Sequence, residues 1–238
     1  MIQAWRTGTD VWVVRLGAWA GIVGSLLAMV GNLLHPATPT GDPEGVARTI
    51  ADSGSWVPVH LVIVVGLILI LGGLVAIARS IQEGMGGALA RLGLVAAVAG
   101  AAVGVIVVIV DGVAAKHLAE AWAQAPPEEA AAALRVVMGE EAINFALAAL
   151  FNILFAGVTF ILLGLAVALG GEHPPGPAWA VVVAGVGSIL VGLVQAYQGE
   201  SVAFTRLATI VFPTVITLWV AWMSLRMLRT TAVTRSAA

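Results

Sequence analysis

Runs of apolar residues alternate with short polar stretches along the whole chain. The apolar runs are about 20 residues long, which is the length that a helix needs to cross the hydrocarbon core of a bilayer. Six such spans can be drawn, at residues 12–34, 57–78, 90–111, 142–169, 178–197 and 207–228. The pattern predicts an all-α fold, in which residues 1–238 form a single six-helix transmembrane domain.

The polar stretches between the spans contain signals that end and start helices. Pro36, Pro39 and Pro43 interrupt the chain after span 1, and Pro58 suits the first turn of span 2, where a missing N–H costs nothing. The stretch PPEEAAAALRVVMGEEA, residues 126–142, has strong helix formers behind a Pro-Pro start. We predict a short surface helix there, which leads into span 4.

Composition strengthens the membrane assignment and excludes several classes of function. Of the 238 residues, 60% are hydrophobic and only 10% are charged, whereas a soluble domain carries roughly 25% charged residues. The net charge of −2 and the lack of a basic stripe argue against a nucleic-acid partner. The chain has no cysteine, which excludes disulfides, thiolate metal sites and cysteine nucleophiles. The expected partner is the lipid bilayer, with another membrane protein or a second copy of the chain as a further partner.

Lysine and arginine near the span ends predict the orientation, because cytoplasmic loops carry an excess of these residues. With both termini in the cytoplasm, seven of them lie inside and four lie outside. The inner set is Arg6, Arg15, Arg79, Arg91, Arg226, Arg229 and Arg235, and the outer set is Arg48, Lys116, Arg135 and Arg206. We therefore predict a multi-pass protein of the plasma membrane with both termini cytoplasmic and the two long loops outside.

Titratable side chains collect at the predicted outer ends of the first three spans. His35 ends span 1, His60 lies in the first turn of span 2, and Asp111 ends span 3. Twenty residues separate Arg15 from His35 and Arg91 from Asp111, which corresponds to about 30 Å of helix, or about one bilayer core. We therefore expect His35 and Asp111 at the same depth, near the outer boundary.

Imidazoles and carboxylates are ligands for Zn, Fe, Mn or Cu, so a divalent transition metal is the cofactor that this set favours. We predict a deeper layer of ligands formed by His35, His60 and Asp111. His117 and Glu141 would form a second layer about 9 Å higher, which is the rise of six helical residues. Asp111 and His117 lie about 120° apart around an ideal helix, so one ion binds both only if the helix bends. No recognised ligand spacing such as HExxH is present.

A polar stripe is predicted on one face of span 4. At about 100° per residue, Glu141, Asn152 and Thr159 fall within about 20° of one another, and Asn144 lies about 60° away. Polar groups within a span normally face the bundle and not the lipid. We therefore expect this stripe to line the interior near the deeper layer, together with Gln195 of span 5.

The same residues also admit roles without a metal. The pair His35-Pro36 can simply end a helix, Lys116 can snorkel to the surface, and amides within spans often join helices. His173 lies in the turn GGEHPPGP and is expected to be solvated. Two other classes of function therefore stay open beside a metal-binding or small-ligand-binding membrane protein. One is a non-catalytic accessory or scaffold subunit of a membrane complex, and the other is a transporter of a small solute or of protons.

Several short motifs accompany the six spans. RLG begins spans 1 and 3, His-Pro follows span 1, W-x-x-x-H opens span 2, and Asp-Gly ends span 3. With these marks the chain resembles a class of uncharacterised six-span bacterial integral membrane proteins, a domain of unknown function. The resemblance covers the whole chain and implies no known activity, so it assigns no catalytic residue.

Overall fold

A computed structural model describes residues 8–199 and 203–236, with the side chains of residues 8, 9, 203, 204, 206 and 231–236 left aside. The described part consists of helices and short connections, without a strand. Six of its helical stretches are long and apolar enough to cross a membrane, which confirms the predicted all-α, six-span fold. Three of the residues counted for the predicted orientation lie outside the described part: Arg6, and the side chains of Arg206 and Arg235.

Helices follow one another with little intervening loop. The first five are α1 (Gly8–Leu34), α2 (Pro43–Asp52), α3 (Trp56–Arg79), α4 (Gly84–Ile109) and α5 (Ala115–Ala123). The remaining four are α6 (Pro127–Phe151), α7 (Phe160–Gly170), α8 (Pro175–Gln198) and α9 (Ala203–Ser236). Two π-helical segments, Val110–Ala114 and Asn152–Thr159, join α4 to α5 and α6 to α7 without a break.

Spans 3 and 4 are longer than the hydrophobic pattern predicts. The structure has continuous helical stretches of 40 residues at Gly84–Ala123 and 44 residues at Pro127–Gly170. The helix predicted at 126–142 is present as the first part of α6, and it runs into span 4 without a break. A helix of 40 residues is about 60 Å long, about twice the thickness of a bilayer core. Hydropathy detects the part that lipid surrounds, whereas alanine, leucine and glutamate continue the helix beyond it.

Close packing of α1 against α3 brings the ends of these two helices together. A Cβ on Gly73 would lie 2.6 Å from the Cα of Gly21, and a Cβ on Gly24 would lie 2.7 Å from the carbonyl oxygen of Gly66. Small residues of this kind allow the backbones of membrane helices to approach closely. Because α1 and α3 are joined by residues 35–55, the end of α1 lies beside the start of α3.

The connection between α1 and α3 is held down by a lysine from α5. The ammonium of Lys116 donates hydrogen bonds to the carbonyl oxygens of Ile50 (3.1 Å), Ala51 (2.6 Å) and Ser53 (3.0 Å) at the end of α2. It also pairs with Glu120, at 3.2 Å. A cation at a helix C-terminus satisfies free carbonyls and interacts favourably with the helix dipole. Lys116 thus fixes α2 onto α5 and does not snorkel into the surroundings.

The surface and the interior of the bundle differ sharply in polarity. Large apolar side chains are exposed along the helices, among them Leu16, Leu33, Val95, Val183 and Leu207. Buried polar side chains include Ser25, His60, Asn152, Thr159, Ser188 and Gln195. This distribution is the one expected for a bundle surrounded by lipid, where polar groups turn towards neighbouring helices.

Candidate metal centre

Three helical segments bring His35, His60 and Asp111 together at one end of the bundle. The Nε2 atoms of the two histidines are 3.2 Å apart. The Oδ2 atom of Asp111 lies 3.0 Å from Nε2 of His60 and 3.9 Å from Nε2 of His35. We call these three residues the His/Asp centre, and the end of the bundle that carries them, with residues 35–55, the triad end.

The other ring nitrogen of each histidine is already engaged. Nδ1 of His35 lies 2.9 Å from the carbonyl oxygen of Pro36, and Nδ1 of His60 lies 2.6 Å from that of Trp56. A carbonyl only accepts hydrogen bonds, so each Nδ1 carries the hydrogen and each Nε2 of a neutral ring presents a lone pair. Two nitrogen lone pairs and a carboxylate oxygen therefore face one another. A metal ion or a single proton is needed between them.

The spacing of these three atoms fits a tetrahedral metal site. With ligand bonds of about 2.0–2.1 Å, as for zinc, two ligand atoms of a tetrahedron lie about 3.3 Å apart. The separations of 3.0, 3.2 and 3.9 Å lie around this value. Histidine ligands of metals commonly donate their second N–H to a backbone carbonyl, which fixes the ring. Both rings of the centre have that arrangement.

The centre is closed on one side and open on the other. His60 retains only 2% of its side-chain exposure, whereas His35 and Asp111 retain 30% and 25%. Three protein ligands with an accessible side leave a fourth position for water or another small ligand. Catalytic and binding metal sites have this open arrangement, whereas structural sites are saturated by four protein ligands.

Trp56 is a part of the site that the sequence reasoning did not assign. Its indole nitrogen donates a hydrogen bond to the carbonyl oxygen of Asp111 at 2.8 Å. Its ring lies with its centroid 5.0 Å from those of both His35 and His60. Trp56 therefore holds the backbone of Asp111 while packing against the rings of His35 and His60. The motif W-x-x-x-H contained the signal, since residues four apart share one face of a helix.

The π-helical segment Val110–Ala114 places Asp111, and Gly112 within it makes room for the adjacent histidine. A Cβ on Gly112 would lie 2.6 Å from Cγ of His60, closer than any real contact allows. Single π-turns inside α-helices occur frequently at functional sites. A glycine is therefore required after Asp111 because His60 packs directly on its backbone.

His117 and Glu141, predicted as a second layer of ligands, are not within ligand distance of the His/Asp centre. Among the described residues, the group able to hold a metal consists of His35, His60 and Asp111 alone. The side chain of His117 is exposed. Glu141 is half-buried and interacts electrostatically with Asp111. The π-helical segment changes the rotation after Asp111, but His117 still faces outward.

The predicted polar stripe is divided by the second π-helical segment, Asn152–Thr159. Asn152 is buried and its amide nitrogen donates a hydrogen bond to Oε1 of Gln195 at 2.8 Å. Thr159 is buried and bonds to the carbonyl oxygen five residues earlier. Asn144 is half-buried, one turn after a buried carboxylate, Glu140, that the sequence reasoning did not single out. Asn152, Thr159 and Gln195 are thus buried in the interior of the bundle, as expected. The constant rotation that aligned Thr159 with Glu141 does not apply across a π-helix.

His173 lies at the opposite end of the bundle and is not simply solvated. Its Nε2 lies 2.8 Å from the hydroxyl oxygen of Ser80, which itself donates to the carbonyl oxygen of Ile77. Because the Ser80 hydrogen is used, Nε2 of His173 is the donor. Burial, and then the positive charge of Arg226, lower the pKa of His173 to about 4. This histidine is therefore neutral at physiological pH.

Comparison of the chain with protein-family models, curated proteins and solved structures finds no match. The class of the protein therefore follows from its fold alone: a helical bundle with six candidate membrane spans. The geometry adds a cluster of two histidines and one aspartate that could hold a metal ion.

Proposed function

We propose that the protein is a membrane protein that binds one divalent transition metal through His35, His60 and Asp111, with a fourth position for a small ligand. The observation that supports this function best is the convergence of two Nε2 lone pairs and a carboxylate oxygen on one point. Zinc is the ion whose tetrahedral ligand spacing these distances resemble most closely.

A single proton shared by the two rings is the alternative occupant of the centre. The fixed orientation of both rings suits either occupant, because both Nδ1 hydrogens are held by backbone carbonyls. The third acceptor, the carboxylate of Asp111, is what favours a metal. An unoccupied cluster would bring two lone pairs and a carboxylate oxygen close together in a partly buried place, which is electrostatically unfavourable. A metal ion neutralises all three atoms at once, whereas a proton bridges only two of them.

Metal content tests the proposal directly. The protein is purified in detergent, stripped with a chelator and dialysed against a limited excess of Zn²⁺. We expect it to retain about one equivalent of zinc, measured by elemental mass spectrometry. Substitution with Co²⁺ is expected to give the intense visible absorption of a tetrahedral site. Wild-type protein that retains no metal and shows no such absorption would overturn the proposal.

Variants locate the metal within the molecule. His60→Gln and Asp111→Asn keep the approximate side-chain size and are expected to lose most of the bound metal. His117→Gln changes an exposed histidine on the same helical stretch and is expected to retain the metal fully. Equal metal loss in all three variants would show that the ion is bound elsewhere. Elution volume and thermal unfolding establish that each variant is folded.

We further propose that the triad end faces outward across the plasma membrane, with both termini in the cytoplasm. The support is the excess of arginine near the opposite span ends. Because the chain has no cysteine, single cysteines can be introduced at two exposed glycines, Gly54 at the triad end and Gly176 at the opposite end. A membrane-impermeant maleimide applied to intact cells is expected to label Gly54→Cys and not Gly176→Cys. The reverse pattern would invert the proposed orientation.

The short motifs support membership in the uncharacterised six-span class that the chain resembles. His-Pro, W-x-x-x-H and Asp-Gly contain all three ligands of the proposed metal, as well as Trp56 and Gly112, which position them. We propose that these motifs form the metal site of this chain.

A further inference from the structure

Glu140 is a buried carboxylate whose two oxygens have no hydrogen-bond partner. Its relative exposure is 8%, and within the described part of the chain neither Oε1 nor Oε2 meets a donor. Removing a carboxylate from water without a compensating partner is among the costliest events in folding. A buried polar group without a partner requires an explanation, such as an ion that binds there.

A second oxygen atom of the same helix face is also without a donor. Oδ1 of Asn144, four residues after Glu140, is buried and unpartnered among the described residues. Residues four apart lie one above the other on a helix, with Cβ atoms about 6 Å apart. Glu140 and Asn144 therefore offer three buried oxygen acceptors on one face of α6.

Nearby charges make this place attractive to a cation. Glu140 interacts electrostatically with Glu141 and with Asp111, both of them acidic. Arg135, which precedes Glu140 on the same helix, has an exposed side chain. Glu140 and Asn144 thus offer oxygen acceptors at a place where the neighbouring charges are negative.

We propose that Glu140 and Asn144 form a second cation subsite, which holds one monovalent cation through oxygen atoms. Oxygen ligands select hard ions and leave the softer transition metals to the imidazoles of the His/Asp centre. Of the two residues of the subsite only Glu140 can carry a charge, so one positive charge neutralises the subsite itself. The subsite uses none of the three proposed metal ligands, so Glu140→Gln and His60→Gln test the two proposals separately.

Thermal unfolding in detergent tests the subsite with Na⁺ and K⁺ as probes. The ionic strength is kept constant by replacing each salt with N-methyl-D-glucamine chloride, whose cation is too large for the place. Because a ligand that binds only the folded state stabilises it, we expect the unfolding midpoint to rise saturably by about 3–6 °C at about ten times the dissociation constant. Binding of radioactive sodium or rubidium to the purified protein gives a direct readout of the same event.

Matched variants separate the subsite from its surroundings. Glu140→Gln is expected to abolish the response to salt and Asn144→Ala to weaken it. Glu129→Gln changes an exposed carboxylate on the same helix and should respond as the wild type does. His60→Gln, which lacks the proposed metal, should also keep the response.

Three results would overturn the inference. One is a wild-type midpoint that neither Na⁺ nor K⁺ changes. Another is an equal response to the two ions in wild-type protein and in Glu140→Gln. The third is a midpoint that depends on pH but on neither salt, which would show that a proton alone neutralises Glu140.

Discussion

Each end of the bundle contains a buried or half-buried histidine, and the two histidines have opposite electrostatic neighbours. At the triad end, His60 lies 3.0 Å from the carboxylate of Asp111 and 3.2 Å from a second imidazole. At the opposite end, His173 interacts with the guanidinium of Arg226 and hydrogen-bonds to Ser80. A carboxylate attracts a cation, whereas a guanidinium repels one. The same residue type therefore belongs to a group that could hold a metal at one end and is a neutral hydrogen-bond donor at the other.

Helix geometry also differs between the two ends. At the triad end, α4 continues through a π-helical segment that contains Asp111. Lys116 of α5 holds α2, which is part of the connection between α1 and α3. At the opposite end the connections are short, with residues 80–83 and 171–174 joining the helices. The end with the irregular helix is the one that brings three possible ligands together, as expected where local geometry serves a site.

The largest effect is expected from Gly112→Ala, which breaks the contact that distinguishes the triad end. The added methyl group would overlap His60 and displace its ring. We expect the affinity for Zn²⁺ to fall about 10–100-fold, which is the range seen when groups that orient metal ligands are disturbed. Isothermal titration calorimetry of the chelator-treated protein measures this change.

Gly139→Ala is the matched control for that substitution, because a Cβ at residue 139 meets nothing within 4 Å. It should leave the affinity unchanged and stabilise α6 by about 0.5–1 kcal/mol. An equal loss of affinity in both variants would mean that Gly112 has no particular role in positioning His60.

The next largest effect is expected from Lys116→Met, which removes the cation that holds α2. Three carbonyl oxygens would lose their donor, and hydrogen bonds to charged groups contribute about 1.5–3 kcal/mol each. Water can replace the ammonium at the free carbonyls of a helix end, so we expect a total loss of about 2 kcal/mol, well below the sum of three such bonds. A lower unfolding midpoint and faster proteolysis within residues 35–55 should accompany it. Arg135→Met, an exposed cation at the same end, should change neither measurement. Unchanged proteolysis in Lys116→Met would show that α2 is held by its apolar contacts alone.

A smaller effect is expected when the hydrogen bond between Asn152 and Gln195 is removed; this pair lies between the two ends of the bundle. Asn152→Leu and Gln195→Leu each remove one partner of a buried hydrogen bond of 2.8 Å. Polar contacts between membrane helices contribute about 0.6–2 kcal/mol, so each variant should unfold at a slightly lower temperature. In a double-mutant cycle, the double variant should lose less than the sum of the two single variants. Strict additivity would contradict a direct interaction.

At neutral pH the smallest effect is expected from His173 at the opposite end, because its contribution to the free energy of unfolding changes only at lower pH. The pKa of His173 is lowered in the folded protein from 6.5 to about 4. Between these two pH values the unfolded chain binds a proton that the folded protein does not, so stability falls as the pH falls from about 6.5 to about 4. His173→Gln removes this contribution and should flatten the dependence of the unfolding midpoint on pH in that window. An identical profile in the variant would assign the dependence to other groups.

The sequence predicted some parts of the site well because they depend on distance along a helix. Twenty residues between an arginine and His35 or Asp111 place both at one depth, and the structure brings both to the same cluster. The roles of Trp56 and Gly112 were not assigned from the sequence, because they depend on which helices touch. Glu140 was passed over in favour of Glu141, since the direction of a side chain around a helix changes by about 100° per residue.

Hydropathy and residue spacing by themselves determined that this is an all-α chain with six candidate spans, because the length of an apolar run fixes what can cross a bilayer. They also predicted that His35 and Asp111 lie at the same depth. Only the tertiary structure decided that two imidazoles and a carboxylate face one another and that His117 does not join them. The physical reason is that rotation about each helix axis is set by packing, here by glycine contacts between α1 and α3 and by two π-helical segments.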